Sequence, residues 1–244
     1  IVVPASDSID ITVNTAEPYA ENKGEYFGSP YLISREADIL ALARILKGEG
    51  TVSDFARFGE ENENVAAFRY GYYRLTTNIF INSEEFFGLG SRAAGGVPFQ
   101  GCFDFAGYAV TLSLIRTEHV AAEFAYVPEE QISVADYGFF SLIYGADDKP
   151  CLIKNADVQG YIALNTSLAV GSIPDKTRVN AGGLAGTAGK NIVFDGIESQ
   201  VSVSAMVKKA SLYIGGMFGI CSSDVDNWCS AVYDGEHNEV SGVT

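Results

Sequence analysis

Three glycine-flanked segments recur in the C-terminal half of this chain: Tyr137-Gly138-Phe139-Phe140-Ser141, Ala181-Gly182-Gly183-Leu184-Ala185-Gly186 and Ile214-Gly215-Gly216-Met217-Phe218-Gly219. Each is followed by a turn and a second short apolar run, and their starts lie 44 and then 33 residues apart. A unit that repeats in this way exposes an apolar face that only the next unit can cover, so the pattern predicts a solenoid. The flanking segments repeat as well. Leu152-Ile153-Lys154-Asn155-Ala156-Asp157-Val158-Gln159 aligns without gaps on Val193-Phe194-Asp195-Gly196-Ile197-Glu198-Ser199-Gln200, and a third copy starts at Val225-Asp226-Asn227-Trp228. Asn or Gly at the matched position suits a residue at positive φ, where the chain corners between strands. The period-two alternation beyond it is that of a strand.

Short strands joined by tight corners, with no long helical stretches between them, argue against βαβ units and for strands that stack in parallel. The expected fold class is all-β: a right-handed parallel β-helix with an N-terminal capping helix, its interior filled by Leu184, Met217, Phe218, Ile197 and Val203. A β-sandwich is the alternative. Residues 1–69 read as an N-terminal extension carrying the cap, and residues 70–244 as one continuous solenoid. The cap is the segment from Ser34 to Gly48, with Ser34 at its start, acids in the first turn, Lys47 in the last and Gly48 after it. Ile39, Leu40, Ala43 and Leu46 form its apolar stripe.

Charge excludes one class of partner. With 31 acidic against 16 basic residues the formal net charge is −15, which repels a phosphate backbone, so no nucleic-acid partner is expected. No run of eighteen apolar residues exists, so no membrane insertion is expected either, and the N-terminus lacks the basic and apolar blocks of a signal peptide. Gly59-Glu60-Glu61-Asn62-Glu63-Asn64 and Asp224-Val225-Asp226 could gather Ca²⁺ through carboxylates, but without the ligand spacing of a calcium loop they read as solvated charge. The four cysteines, Cys102, Cys151, Cys221 and Cys229, contain no C-x-x-C pair. A Cys221–Cys229 bridge and four small buried hydrophobes are both open. His119 and His237 stand in separate contexts. No metal or cofactor is implied.

The N-terminal half carries a family resemblance. Gly71-Tyr72-Tyr73-Arg74-Leu75-Thr76-Thr77-Asn78-Ile79-Phe80-Ile81, then Gly88-Leu89-Gly90-Ser91, then Pro98-Phe99-Gln100-Gly101-Cys102-Phe103-Asp104-Phe105-Ala106-Gly107-Tyr108-Ala109-Val110 resembles the module that precedes the repeats in bacterial surface proteins with GLUG repeats. The likeness spans roughly residues 31 to 232. It departs at Asn78, where the family has Asp, at Phe105-Ala106, where it has Gly-Asn, and at Ser141, where it has a closing glycine. The resemblance implies a secreted or cell-surface bacterial protein, an adhesin-like segment of a longer multidomain chain, and no catalytic motif.

Function then divides into two classes. The first is a non-catalytic adhesion or scaffold segment that binds an extracellular glycan or protein ligand, with Tyr70, Tyr72, Tyr73, Tyr161 and Tyr213 as candidates to stack on sugar rings and the stretch between Ala163 and Asn180 as the first candidate contact loop. The second is a polysaccharide lyase or glycoside hydrolase built on a β-helix, for which Asp104, Asp157, Asp195 and Glu198 are the candidate carboxylates. Asp157 and Glu198 hold equivalent places in two repeats and should lie side by side. No Arg, Lys or His repeats beside them, and no G-x-S-x-G turn accompanies the serines from Gln200 to Ser204, so the expected catalytic set is empty.

Overall fold

A computed structural model describes residues 29–60, 65–117, 125–127, 132–146, 149–166, 177–207 and 210–221. The chain opens with strand β1 (Tyr31–Ile33) and helices α1 (Glu36–Lys47), α2 (Val52–Arg57) and α3 (Val65–Arg69). Strands β2 (Tyr72–Leu75), β3 (Ile79–Ile81), β4 (Cys102–Asp104), β5 (Ala109–Arg116) and β6 (Ala125–Val127) follow. The repeat region supplies β7 (Ile132–Tyr137), β8 (Phe140–Ile143), β9 (Cys151–Thr166), β10 (Thr177–Gly182), β11 (Ala185–Ala188), β12 (Ile192–Val207), β13 (Ser211–Gly215) and β14 (Phe218–Cys221).

The repeat alignment is the spatial register. Ala181 sits beside Tyr137 on one side and Ile214 on the other, and Ala185 likewise beside Phe140 and Phe218. Leu152 pairs with Val193 and Gln159 with Gln200, as the ungapped alignment placed them. The matched corner residues Asn155 and Gly196 have φ of 51° and 67°, the left-handed conformation that Asn and Gly tolerate best.

The fold class is nevertheless α/β and not an all-β parallel β-helix. The strands form three mostly parallel sheets, of seven, four and three strands, and no closed solenoid is found among the described residues. The large sheet runs β1-β2-β4-β9-β5-β3, with β12 on the far side of β9. In the four-stranded sheet β6 lies antiparallel to β7. The glycine repeat identifies which strands stack, but it is silent on the N-terminal half, and there the helices are built into the core.

Aromatic packing is the reason. The Tyr31 ring stacks on Phe68 of α3 with centroids 5.1 Å apart and meets Phe58 edge-on at 5.5 Å. Tyr73 of β2 carries that cluster to Phe99 and Phe103, and Phe103 meets Phe139 and Phe140 of the repeat region at 5.3 and 5.7 Å. Each ring buries a large apolar surface, and edge-to-face pairs add about 0.5–1.5 kcal/mol beyond burial. Helices and sheets thus share one core, in which Ile39, Leu42, Ile45 and Leu46 of α1 are also buried. Ser34 does not cap α1 from the N-cap position, which Arg35 occupies; the Ser34 N–H and hydroxyl both donate to Asp38 Oδ2, at 3.0 and 3.1 Å. Gly48 ends the helix at φ 81°, as its place in the sequence predicts.

Leu184, Phe218 and Ile197 are buried, while Met217 and Val203 are partly buried against the same core. The two repeat glycines Gly183 and Gly216 are not equivalent. A Cβ on Gly183 would lie 2.6 Å from the Gly216 carbonyl oxygen and 2.6 Å from Val201 Cβ, whereas a Cβ on Gly216 meets nothing described within 4 Å. Gly183→Val is therefore expected to destabilise by about 2–3 kcal/mol, and Gly216→Val to stay within about 0.5 kcal/mol of the parent. Denaturant titration of the two variants checks this, and equal losses would contradict it.

Candidate functional site

Two surfaces bring chemistry-bearing side chains together. The first is the outer face of the large sheet. Alternation along β5, β9 and β12 sends Val110, Leu112, Val158, Ile162, Ile197 and Val201 inward, so the residues between them form rows on the outside. Ala109, Asp157 and Glu198 make one row; Phe80, Thr111, Gln159 and Gln200 the next; Ser113, Tyr161 and Ser202 a third.

Asp157 and Glu198 are neighbours, as the repeat predicts. Each carboxylate is held by the amide two residues along its own strand. Gln159 Nε2 donates to both Asp157 oxygens, at 2.8 and 2.9 Å, and Gln200 Nε2 donates to Glu198 Oε1. The pair forms an acidic ladder across adjacent strands of one face, not two acids across a groove. Asp195 is exposed at the corner of β12. Asp104 is buried and structural: its Oδ1 accepts from the Ala106 N–H at 2.8 Å and from Asn155 Nδ2 at 2.9 Å, tying the corner after β4 to the corner within β9.

Of the five candidate tyrosines, Tyr161 and Tyr213 are exposed, Tyr70 and Tyr72 are half-buried and Tyr73 is wholly buried. The Tyr73 hydroxyl donates to the Phe68 carbonyl at 2.7 Å, and burial pushes its pKa well up. Tyr161 is 41 % exposed, its hydroxyl 2.7 Å from Ser113 Oγ. Phe80, which sequence reasoning did not single out, is 54 % exposed on the same face. Its signal was the outward position in the Ile79-Phe80-Ile81 alternation, where a polar residue is the norm. Residues 167–176 of the candidate contact loop lie outside the described residues, as do Cys229, both histidines, most of the two acidic clusters and the third repeat copy. Cys102, Cys151 and Cys221 are buried; burial raises the Cys102 thiol to about 12 and Cys151 well above its ordinary value, which makes both poor nucleophiles. Among the described residues no group of three or more His, Cys, Asp or Glu side chains could hold a metal ion, and no helix is long and apolar enough to cross a membrane.

The second surface is a cleft of about 380 Å³ between the C-terminal half of α1, the segment 84–93, and strands β7 and β8. Its wall hangs on β8: Ser141 Oγ donates to the Phe87 carbonyl at 2.5 Å, and the Ser141 N–H donates to the Leu89 carbonyl at 2.8 Å. The hydroxyl at the position of the missing repeat glycine thus has a use. Arg44, Lys47 and Arg92 line the cleft together with Glu49, Glu84, Glu85 and Asp136. The Lys47 ammonium lies 4.9 Å from the centre of the Phe87 ring and 3.1 Å from Glu49, a favourable cation–π distance.

No protein-family model, curated protein or solved structure is found to match this chain.

Arg44 is clamped from behind the cleft. Its Nε and Nη2 donate to Asp54 at 3.2 and 2.5 Å, and Nη1 reaches Glu85 at 3.3 Å. Burial alone would raise the Asp54 carboxyl, whose side chain is 3 % exposed. The Arg44 fork and the Thr51 backbone N–H and hydroxyl outweigh that and hold it at about 2. A carboxyl depressed in the folded state contributes stability that is complete above its unfolded value of about 4 and is lost as pH falls through about 2. Asp54→Asn is expected to cost about 2 kcal/mol near neutral pH. The gap between variant and parent should close as the pH is lowered from about 5 towards 2, as followed by urea unfolding; a gap that is constant with pH would contradict this account.

Proposed function

We propose that this segment is a non-catalytic binding element of a secreted or cell-surface bacterial protein, and that it holds an extended glycan against the outer face of the large sheet. One observation carries the reading: two exposed aromatic residues, Phe80 and Tyr161, stand on one face of the sheet with amide and hydroxyl side chains between them. The two residues are two strands and one outward row apart, roughly 12 Å at ordinary strand spacings, which is the scale of a disaccharide. An aromatic ring covers the apolar face of a sugar, while neighbouring amides and hydroxyls exchange hydrogen bonds with its ring substituents. Thr111, Ser113 and Gln159 occupy those intervening places, with Gln200 beyond Gln159 on β12.

Strand-borne side chains suit this role, because their positions are set by the backbone ladder rather than by loop conformation. The acid ladder favours binding over hydrolysis. Asp157 and Glu198 accept hydrogen bonds from Gln159 and Gln200 and stand side by side on adjacent strands. A glycosidase needs one protonated acid opposed to a second carboxylate across the bond it breaks. The motif resemblance to GLUG-repeat surface proteins supports the same placement, outside the cell and within a longer chain.

The test is affinity electrophoresis of the purified chain through gels containing a panel of soluble polysaccharides. At least one should retard the protein, and Tyr161→Ala and Phe80→Ala should each weaken that retardation by about three- to ten-fold. Because both side chains are exposed, their melting temperatures should stay at the parent value. Undiminished retardation in both variants, or release of new reducing ends from the retained polysaccharide, would overturn the reading.

A further inference from the structure

We infer that the cleft between α1, the segment 84–93 and β7 is a second site, separate from the glycan face, and that it binds a small zwitterion: a free α-amino acid with a large apolar side chain. The inference starts from which charges in the cleft are already used. Arg44 spends its fork on Asp54 and Glu85, and Lys47 is paired with Glu49. Arg92 is different. Its Nε donates to Asp136 Oδ2 at 2.7 Å, and among the described residues that is its one hydrogen bond. The two terminal nitrogens of its guanidinium remain for a ligand.

Asp136 fixes the orientation of that fork. Its side chain is 5 % exposed, and its other oxygen accepts from Asn180 Nδ2 at 2.7 Å and Thr187 Oγ1 at 2.5 Å. Asn180 is the register neighbour of Asp136 on β10, and its Nδ2 also lies 2.9 Å from Thr187 Oγ1. A carboxylate held by donors from β10 and β11 is a rigid support, and a guanidinium positioned from behind offers its planar end to a carboxylate in two parallel hydrogen bonds. Asp136 is a positioning residue here, and Arg92 the contact.

The opposite charge is also on hand. Glu84 lines the same cleft, is exposed, and has no ion pair or hydrogen bond among the described residues. An anionic ligand would answer Arg92 but face four lining carboxylates. A cationic one would answer Glu84 but leave the Arg92 fork unmatched. A zwitterion satisfies both. The apolar remainder is the Phe87 ring with Val134 and Tyr137, a lining that favours an aromatic or branched side chain over a polar one. The volume of about 380 Å³ lies near the lower end for small-molecule sites, which restricts the ligand to amino-acid size.

The experiment is isothermal titration of the purified chain with each proteinogenic L-amino acid in turn. One or more of Phe, Tyr, Trp, Leu, Ile and Met should bind saturably at one per chain. The analogue of the best ligand without its amino group and the analogue without its carboxylate should each bind at least about ten-fold more weakly, since each leaves one charge of the cleft unanswered. Glu84→Gln, at an exposed position, should reproduce the loss for the parent amino acid and leave the deaminated analogue unaffected. Arg92→Lys, which keeps the charge but loses the fork, should weaken binding by about ten-fold or more. No saturable binding by any amino acid, or equal binding by ligand and analogues, would overturn the inference. Retardation by polysaccharide should be the same in Glu84→Gln as in the parent, so the two sites fail or stand separately.

Discussion

Strand β9 is the constraint on which the rest depends. It runs sixteen residues, and its two edges are both used: β4 pairs with it before the corner at Asn155, β5 after the corner, and β12 along its other side from Cys151 to Thr166. Every backbone polar group in a buried strand needs a partner, so the register of β9 dictates where β4, β5 and β12 lie. Through them it dictates β2 and β3 as well. The positive φ at Asn155 marks a corner in the strand, and pairing with β12 resumes in the same register at Ala156. Asp104 accepts from the Asn155 side chain, so the bend is held by the neighbouring strand and not by β9 alone.

Alternation along β9 separates what the protein hides from what it presents. Ile153, Ala156, Val158, Ile162 and Leu164 face the core, which continues through the phenylalanines into the helices. Asp157, Gln159 and Tyr161 face out, in line with their counterparts on β12 and β5. The outer face of the large sheet is thus the back of the core: one residue of slip would exchange the two. The cleft arises on a different principle. It lies where α1 and the segment 84–93 stand off from β7, and its charges are stationed by ion pairs that reach into the fold, Arg44 to Asp54 and Arg92 to Asp136.

Where residues repeat, the fold was legible in the sequence. The ungapped alignment of residues 152–159 with 193–200 is the β9–β12 register, and the corner positions have the backbone conformation their Asn and Gly imply. The adjacency of Asp157 and Glu198 follows from the same pattern. The fold class was not legible, because repeat strands say nothing about how a non-repeating half packs. The aromatic residues that draw α1, α3 and β1 into the common core, Tyr31, Phe68 and Tyr73 among them, are scattered in sequence and meet only in space. Tyr73 shows the difficulty at one residue: beside Tyr72 in the same strand, it differs only in which side of the sheet it faces. Arg92 and Glu84 carried no motif, since an isolated arginine and an isolated glutamate gain meaning only from Asp136 behind one and the shared cleft before both. Asn78 and Ser141 each hold a neighbouring segment: Asn78 Oδ1 accepts from the Ala109 N–H at 2.9 Å, and Ser141 holds the cleft wall.

Amide hydrogen exchange across the folded chain tests the place of β9 most directly. If β9 is the strand that the large sheet and its outer face depend on, its amides and those of β5 and β12 bonded to it should form the slowest class, opening only with global unfolding. Exchange of residues 152–164 at rates faster than those of α1 or of β10 would contradict the account, because the outer face could then not be held as a preformed surface.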